Sequence, residues 1–109
     1  MGQLIYDGSK YTFEDRLLAH VKSAVGARLR KQESFFLSWS CSPEEGSGRN
    51  SIWLSPSCPL TFRFSGSRTP QINKTWLSVL SGTSHGGRGM IIMGEQEAES
   101  YAAKHPAPF

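Results

Sequence analysis

The residues with the clearest chemical use form an aromatic and basic set on predicted strands: Phe36, Trp53, Thr61 and Arg63, interspersed with serines. Unpaired bases stack on aromatic faces and guanidinium groups neutralise phosphates, so such a strand face suits RNA or a single strand. The competing expectation is that a helix, the N-terminal hairpin or a second subunit covers this face, because half-exposed aromatics also mark packing and protein contacts. Arg49 and Arg68 fall in loops flanking the strands, where binding residues collect. A helix predicted just before them adds Arg16, Lys22, Arg28, Arg30 and Lys31, with no acid after Asp15. That face can lie along a phosphate backbone. It serves equally well as a solvated face whose last turn complements the helix dipole.

Other constellations are sparse. The run Gly82-Thr83-Ser84-His85-Gly86-Gly87-Arg88-Gly89 invites comparison with a phosphate-binding loop, but Arg88-Gly89 stands where Lys-Ser or Lys-Thr is required. A strand follows it where a helix should, so it reads as a connection. His20, His85 and His105 are scattered, and neither they nor Cys41 and Cys58 show zinc-ligand spacing. Glu14 and Asp15 are adjacent, which suits helix capping better than acid-base work, and there is no Gly-x-Ser-x-Gly elbow. The residues therefore predict no catalytic site, no metal and no cofactor.

The elements that must position these residues follow from periodicity. Gln3–Tyr6 and Lys10–Phe13 read as strands joined by an Asp7-Gly8 hairpin turn. Leu17, Leu18, Val21, Val25 and Leu29 form one stripe of a helix over about Phe13–Arg30, with Thr12 and Asp15 at capping-box spacing. Ser34–Cys41, Ser51–Ser55 and Leu60–Ser65 alternate as strands, and their economical arrangement is an antiparallel meander. Its buried face would hold Phe35, Leu37, Trp39, Ile52, Leu54, Leu60, Phe62 and Phe64. In that arrangement Cys41 and Cys58 lie roughly 20 Å apart and stay free thiols. Thr69-Pro70 starts a second helix carrying Ile72, Trp76, Val79 and Leu80 and ending at Gly82, and Met90–Met93 is a last strand. Glu95–Phe109 shows no apolar period and reads as a loosely held tail.

The order is thus β-β-α-β-β-β-α-β: an α+β single domain over residues 1–94 with a largely antiparallel sheet, two helices and a tail over 95–109. The 109 residues fit one domain, and 38% apolar and 11% aromatic content can build its core. A formal net charge of +3 permits an anionic partner without requiring one. No apolar run approaches the ~20 residues that cross a bilayer, and the first residues lack signal-peptide character. The expected compartment is the cytoplasm, with no membrane partner.

The chain resembles a family of short actinobacterial proteins of unknown function. The resemblance is carried by Met1-Gly2-Gln3-Leu4-Ile5-Tyr6, Ala27-Arg28-Leu29-Arg30 and Glu33-Ser34-Phe35-Phe36-Leu37-Ser38-Trp39. It continues through Gly48-Arg49-Asn50-Ser51-Ile52-Trp53-Leu54-Ser55-Pro56, Pro59-Leu60, Gly66-Ser67-Arg68-Thr69-Pro70-Gln71-Ile72-Asn73 and Trp76. It spans about residues 1 to 94, and some similar sequences carry the label "ATP-dependent DNA ligase". A ligase needs a nucleophilic lysine in Lys-x-Asp-Gly, and the only Asp-Gly here, Asp7-Gly8, has Ile5 in the lysine position. The leading expectation is a non-enzymatic binding or accessory module acting on a protein or nucleic acid through Trp53, Arg63, Arg49, Arg68 and Phe36. The alternatives are a self-associating structural protein whose sheet face is a homo-oligomer interface, and a small enzyme.

Overall fold

The computed structural model describes residues 1–40 and 48–104. Cys41, His105 and the distal part of the expected tail lie outside the described residues. The order is β1 (Gly2–Tyr6), β2 (Ser9–Phe13), α1 (Asp15–Arg30), β3 (Phe35–Ser40), β4 (Arg49–Leu54), β5 (Leu60–Arg63), α2 (Lys74–Thr83), β6 (Met90–Ile91) and α3 (Glu95–Lys104). The expected α+β succession is present, with a third helix added to it.

The β1–β2 hairpin turns on Asp7 and Gly8 with φ of 49° and 83°. Positive φ at both central residues gives the turn whose twist matches the flanking strands. The strands then part from the expected meander. β5 leaves β4 and pairs antiparallel with β1, setting Leu4 opposite Phe62 and Gln3 opposite Arg63. The result is two three-stranded sheets, ordered β2-β1-β5 and β4-β3-β6, the second closed by a short parallel pairing of β3 with β6. The turn after β4, with Cys58 N–H donating to Ser55 O at 3.0 Å, carries the chain from one sheet to the other.

Both sheets contribute their inward residues to one core. Leu4, Phe35, Leu37, Leu54 and Met90 pack with Leu18, Val21 and Val25 of α1 and Trp76, Val79 and Leu80 of α2. Trp39 joins the sheets: Tyr11 and Phe13 meet it edge-to-face at centroid distances of 4.9 and 5.4 Å. Such contacts add to the area that the rings bury.

The helix starts differ from their sequence signals. α1 begins two residues later than expected, and Thr12 belongs to β2. Asp15 accepts from the backbone N–H groups of Ser65 and Gly66, the latter at 2.9 Å, and so ties the end of β5 to α1. α2 is capped by Asn73, whose Oδ1 accepts from Trp76 N–H at 3.1 Å, so Thr69-Pro70 and the exposed Ile72 precede the helix.

Residues 95–104, expected in the loosely held tail, form α3 instead. Its anchorage is polar. Glu95 pairs with Arg16, and Asn73 Nδ2 donates to Glu95 at 2.7 Å and to Glu99 at 3.2 Å. Only Ala98 of this helix is buried, which is why no apolar period marks it.

Candidate functional site

The register of β3 and β4 places Phe36 opposite Trp53, Ser38 opposite Ser51 and Ser40 opposite Arg49. Alternation turns Phe35, Leu37 and Trp39 into the core, so the other six residues share the outer face. Phe36 and Trp53 are 44% and 49% exposed, which leaves open ring surface for a partner. Their rings meet edge-to-face at 5.0 Å, so each limits the other's rotation. Ser38 and Ser51 hydroxyls lie 2.8 Å apart beside them, and Arg49 is exposed beyond. From Phe36 to Ser40 this face runs about 13 Å.

The glycine-rich loop borders the aromatic end. Ser38 Oγ donates to Arg88 O at 2.9 Å, and Gly89 lies against the backbone of β3. A Cβ at Gly89 would sit 2.1 Å from Phe36 O, and its φ is +77°, so only glycine lets the loop close there. Thr83 Oγ1 accepts from Ile91 N–H at 3.1 Å and fixes the loop's far side. Between loop and aromatics is a hollow of about 280 Å³ lined by Arg28, Ser34, Phe36, Trp53, His85 and the glycines. Arg28 lies 5.3 Å from the Phe35 ring centre and donates from Nη1 to His85 Nδ1 at 2.8 Å, which holds the exposed imidazole at this rim. Its Nε lies 3.3 Å from Glu33 without hydrogen-bond geometry.

At the Arg49 end is a larger hollow of about 680 Å³ that opens at the edge of the sheet, lined by Arg49, Arg88, Ser40 and Ser51 and by the apolar Phe13, Trp39 and Ile91. Among the described residues Glu97 is the acidic residue that lines it. The outer face of β3–β4 is therefore a strip with aromatic rings at one end, hydroxyls between, and the guanidinium of Arg49 at the other.

The remaining candidates are dispersed by the actual strand pairing. Thr61 and Arg63 belong to the other sheet, opposite Ile5 and Gln3, because β5 pairs with β1. Arg68, Lys22 and Arg30 line a separate groove between α1 and the segment after β5. Arg16 is engaged with Glu95 and lies 5.5 Å from the Trp76 ring, so it holds helices together. Lys31 ends α1 in solvent. The sequence reads His85, Arg88 and Gly89 as part of a connection, whereas the structure brings them against β3 at the rim of the strip. The available signal was the glycine immediately before β6, where a loop must return close to a neighbouring strand.

A second polar cluster surrounds Cys58. Its sulfur lies 3.1 Å from Ser55 Oγ and 3.4 Å from Tyr6 Oη, and Tyr6 itself donates to Trp53 O across the two sheets. The Ser55 hydroxyl, then that of Tyr6, holds the Cys58 thiol below its ordinary range, and the same contact with Cys58 raises Tyr6. Cys58 is a free thiol. Among the described residues no group of three or more His, Cys, Asp or Glu could hold a metal ion. No helix is long and apolar enough to cross a membrane, again among the described residues.

These features define a small α+β domain of two three-stranded sheets with an exposed aromatic and basic strip on one of them. Residues 1–95 match the family described as a domain of unknown function, DUF7882, and the chain belongs to that family. No curated protein and no solved structure matches it.

Proposed function

We propose that this chain is a non-enzymatic module that binds single-stranded nucleic acid on the outer face of β3–β4. The observation that carries the reading is the register itself: Phe36 pairs with Trp53, and Arg49 lies two pairs further along the same face. Every base has a π-face that an exposed ring can stack on, and each phosphate held by a guanidinium releases counterions. The Ser38 and Ser51 hydroxyls lie between the rings and Arg49, where a sugar or phosphate oxygen would pass. A face about 13 Å long holds a few nucleotides, enough for a modest, sequence-tolerant contact. The resemblance to sequences labelled as DNA ligases makes DNA the first probe, and a nucleic-acid partner accords with a cytoplasmic location.

The test is fluorescence anisotropy of a labelled deoxythymidine oligonucleotide, single- and double-stranded, across a salt series. Binding should favour the single strand and weaken as salt rises. Trp53→Ala should weaken it about 5- to 100-fold, the range of one lost stacking contact. Arg49→Ala should reduce the slope of log affinity against log salt by roughly 0.7, one phosphate contact on a single strand. Arg63→Ala, on the other sheet, should leave binding unchanged. Absence of binding at low salt, or binding indifferent to Trp53, overturns the proposal.

A second reading has a specific observation behind it. β4 is an outer strand of its sheet, so the same aromatics can cover a second copy. Sedimentation that shifts with protein concentration, and that Trp53→Ala abolishes, would favour self-association.

A further inference from the structure

The second large hollow of the molecule lies away from the strip, between the outer side of α1 and the β5 strand with its following loop. It encloses about 760 Å³, within the size range of small-molecule sites. Val25 and Leu29 of α1 and Leu60, Phe62 and Phe64 on the β5 side give it an apolar wall. Ile72, 39% exposed, stands at its rim. That wall remains partly accessible after the core has closed, since all of these residues except Val25 are only partly buried or exposed.

The charged side chains that line it, among the described residues, have one sign. Lys22, Arg30 and Arg68 line the groove, and among the described residues no aspartate or glutamate does. Lys22 lies 5.8 Å from the Phe64 ring centre, so one cation stands directly against the apolar wall. Arg30 and Arg68 have no carboxylate partner among the described residues. Of the nearby acids, Asp15 is occupied by the Ser65 and Gly66 N–H groups, Glu33 sits by Arg28, and Asp7 lies in the β1–β2 turn on the Cys58 side. Cations gathered without counter-charge beside exposed apolar surface match one kind of ligand.

We infer that this groove binds a free small amphipathic anion, an alkyl or aryl body ending in a carboxylate or phosphate. The body covers Leu60, Phe62 and Ile72, and the head is held by Arg30 and Arg68, with Lys22 beside the apolar wall. The site is independent of the strip on β3–β4, which shares none of these residues. Cys58 lines the groove beside Leu60 and gives its occupancy a chemical reporter.

The experiment is isothermal titration of the full chain with decanoate, decyl phosphate and neutral decanol, all below their aggregation concentrations. One anion should bind per chain, at least about 10-fold tighter than decanol, the gain expected of charge-assisted contacts. Arg30→Ala and Arg68→Ala should each weaken the anions several-fold without changing decanol, while Arg63→Ala should change neither. In a Cys41→Ser background, bound decanoate should slow alkylation of Cys58. Equal affinity for decanol and decanoate, no binding of either anion, or indifference to both arginine variants overturns the inference. Binding confined to vesicles containing anionic lipid overturns it as well, because the groove would then face a membrane surface rather than a free ligand.

Discussion

The imidazole of His20 accepts the backbone N–H of Asn73 at its Nε2, 2.8 Å away, while its Nδ1 lies 2.7 Å from Arg16 O. An amide can only donate and a carbonyl can only accept, so the two partners assign the tautomer: Nδ1 carries the hydrogen and Nε2 the lone pair. The ring is fully buried and stacks on Trp76 with a centroid distance of 4.1 Å. Asn73 in turn caps α2 and reaches Glu95 and Glu99 of α3. One histidine of α1 thereby locates the start of α2 and, through Asn73, the third helix.

Replacing His20 with alanine should therefore cost about 3 kcal/mol. The change leaves the Asn73 N–H without its acceptor and opens a cavity beside Trp76. Urea unfolding should show a lower midpoint, and hydrogen exchange should rise first in α2 and α3. A midpoint equal to that of the unaltered chain would mean that the joint is held elsewhere.

Acid should loosen the same region before it unfolds the sheets. Arg16, then Asn73, holds the Glu95 carboxylate below its ordinary range, and the Gly66 and Ser65 N–H groups do so for Asp15. A carboxylate whose pKa is depressed on folding contributes stability above its unfolded pKa. That contribution is lost as pH falls through the lower folded value. Stability should thus be level near neutrality and decline into the acid range. Glu95→Gln should flatten part of the decline while lowering the neutral plateau. An acid limb that neither Glu95→Gln nor Asp15→Asn changes from that of the unaltered chain would assign the loss to other groups.

The aromatic strip and the strands that carry it were legible because β3–β4 pairing is local. The alternation of Phe36 with Leu37 and of Trp53 with Leu54 turns both exposed rings to one side whatever the rest of the chain does. The same alternation in β5 correctly grouped Leu60 with Phe62, but alternation names a face and never a partner strand. Leu4 of β1, which is fully buried, competes for Phe62, and this non-local pairing removed Arg63 and Thr61 from the strip. α3 was illegible for a different reason. Its attachment runs through Arg16, Asn73 and Glu95, a polar contact between distant segments that leaves no apolar period. The start of α2 was misplaced because Thr69-Pro70 is a strong local signal, whereas Asn73 wins by also bonding to His20.

Trp53→Ala should remain folded, which makes it usable as a binding probe. The ring is half exposed and its edge-to-face contact with Phe36 is worth about 1 kcal/mol. A thermal midpoint a few degrees lower is expected, with circular dichroism unchanged. Collapse of the fold would show that the ring is structural rather than presented.

Gly89→Ala should do more harm than the loss of that exposed tryptophan. The added methyl meets Phe36 O, and the positive φ alone costs an L-residue about 1–2 kcal/mol. The loop must withdraw from β3, breaking the Ser38 to Arg88 contact and widening the hollow beside Trp53. Destabilisation of at least ~2 kcal/mol is expected, with amide shifts concentrated over residues 85–91 and β3. If alanine is tolerated without shifts in β3, the loop does not shape the aromatic end of the strip.

The Cys58 thiol should react faster with an alkylating agent at neutral pH than an ordinary cysteine of equal exposure. Hydrogen bonds from Ser55, and then from Tyr6 when its one O–H turns from Trp53 O to the sulfur, favour the thiolate, and the thiolate is the nucleophile. Tyr6→Phe removes one of these hydroxyls while keeping the ring, so the pKa of Cys58 should rise and the rate at fixed pH should fall. Ser55→Ala should act in the same direction and more strongly, since the Ser55 bond is the larger influence. Rate against pH, read by mass spectrometry in a Cys41→Ser background, separates this effect from access. A change of access scales the whole curve, whereas loss of a hydroxyl moves its midpoint upward. Curves that differ only in height would show that Tyr6 and Ser55 screen the sulfur and do not tune it.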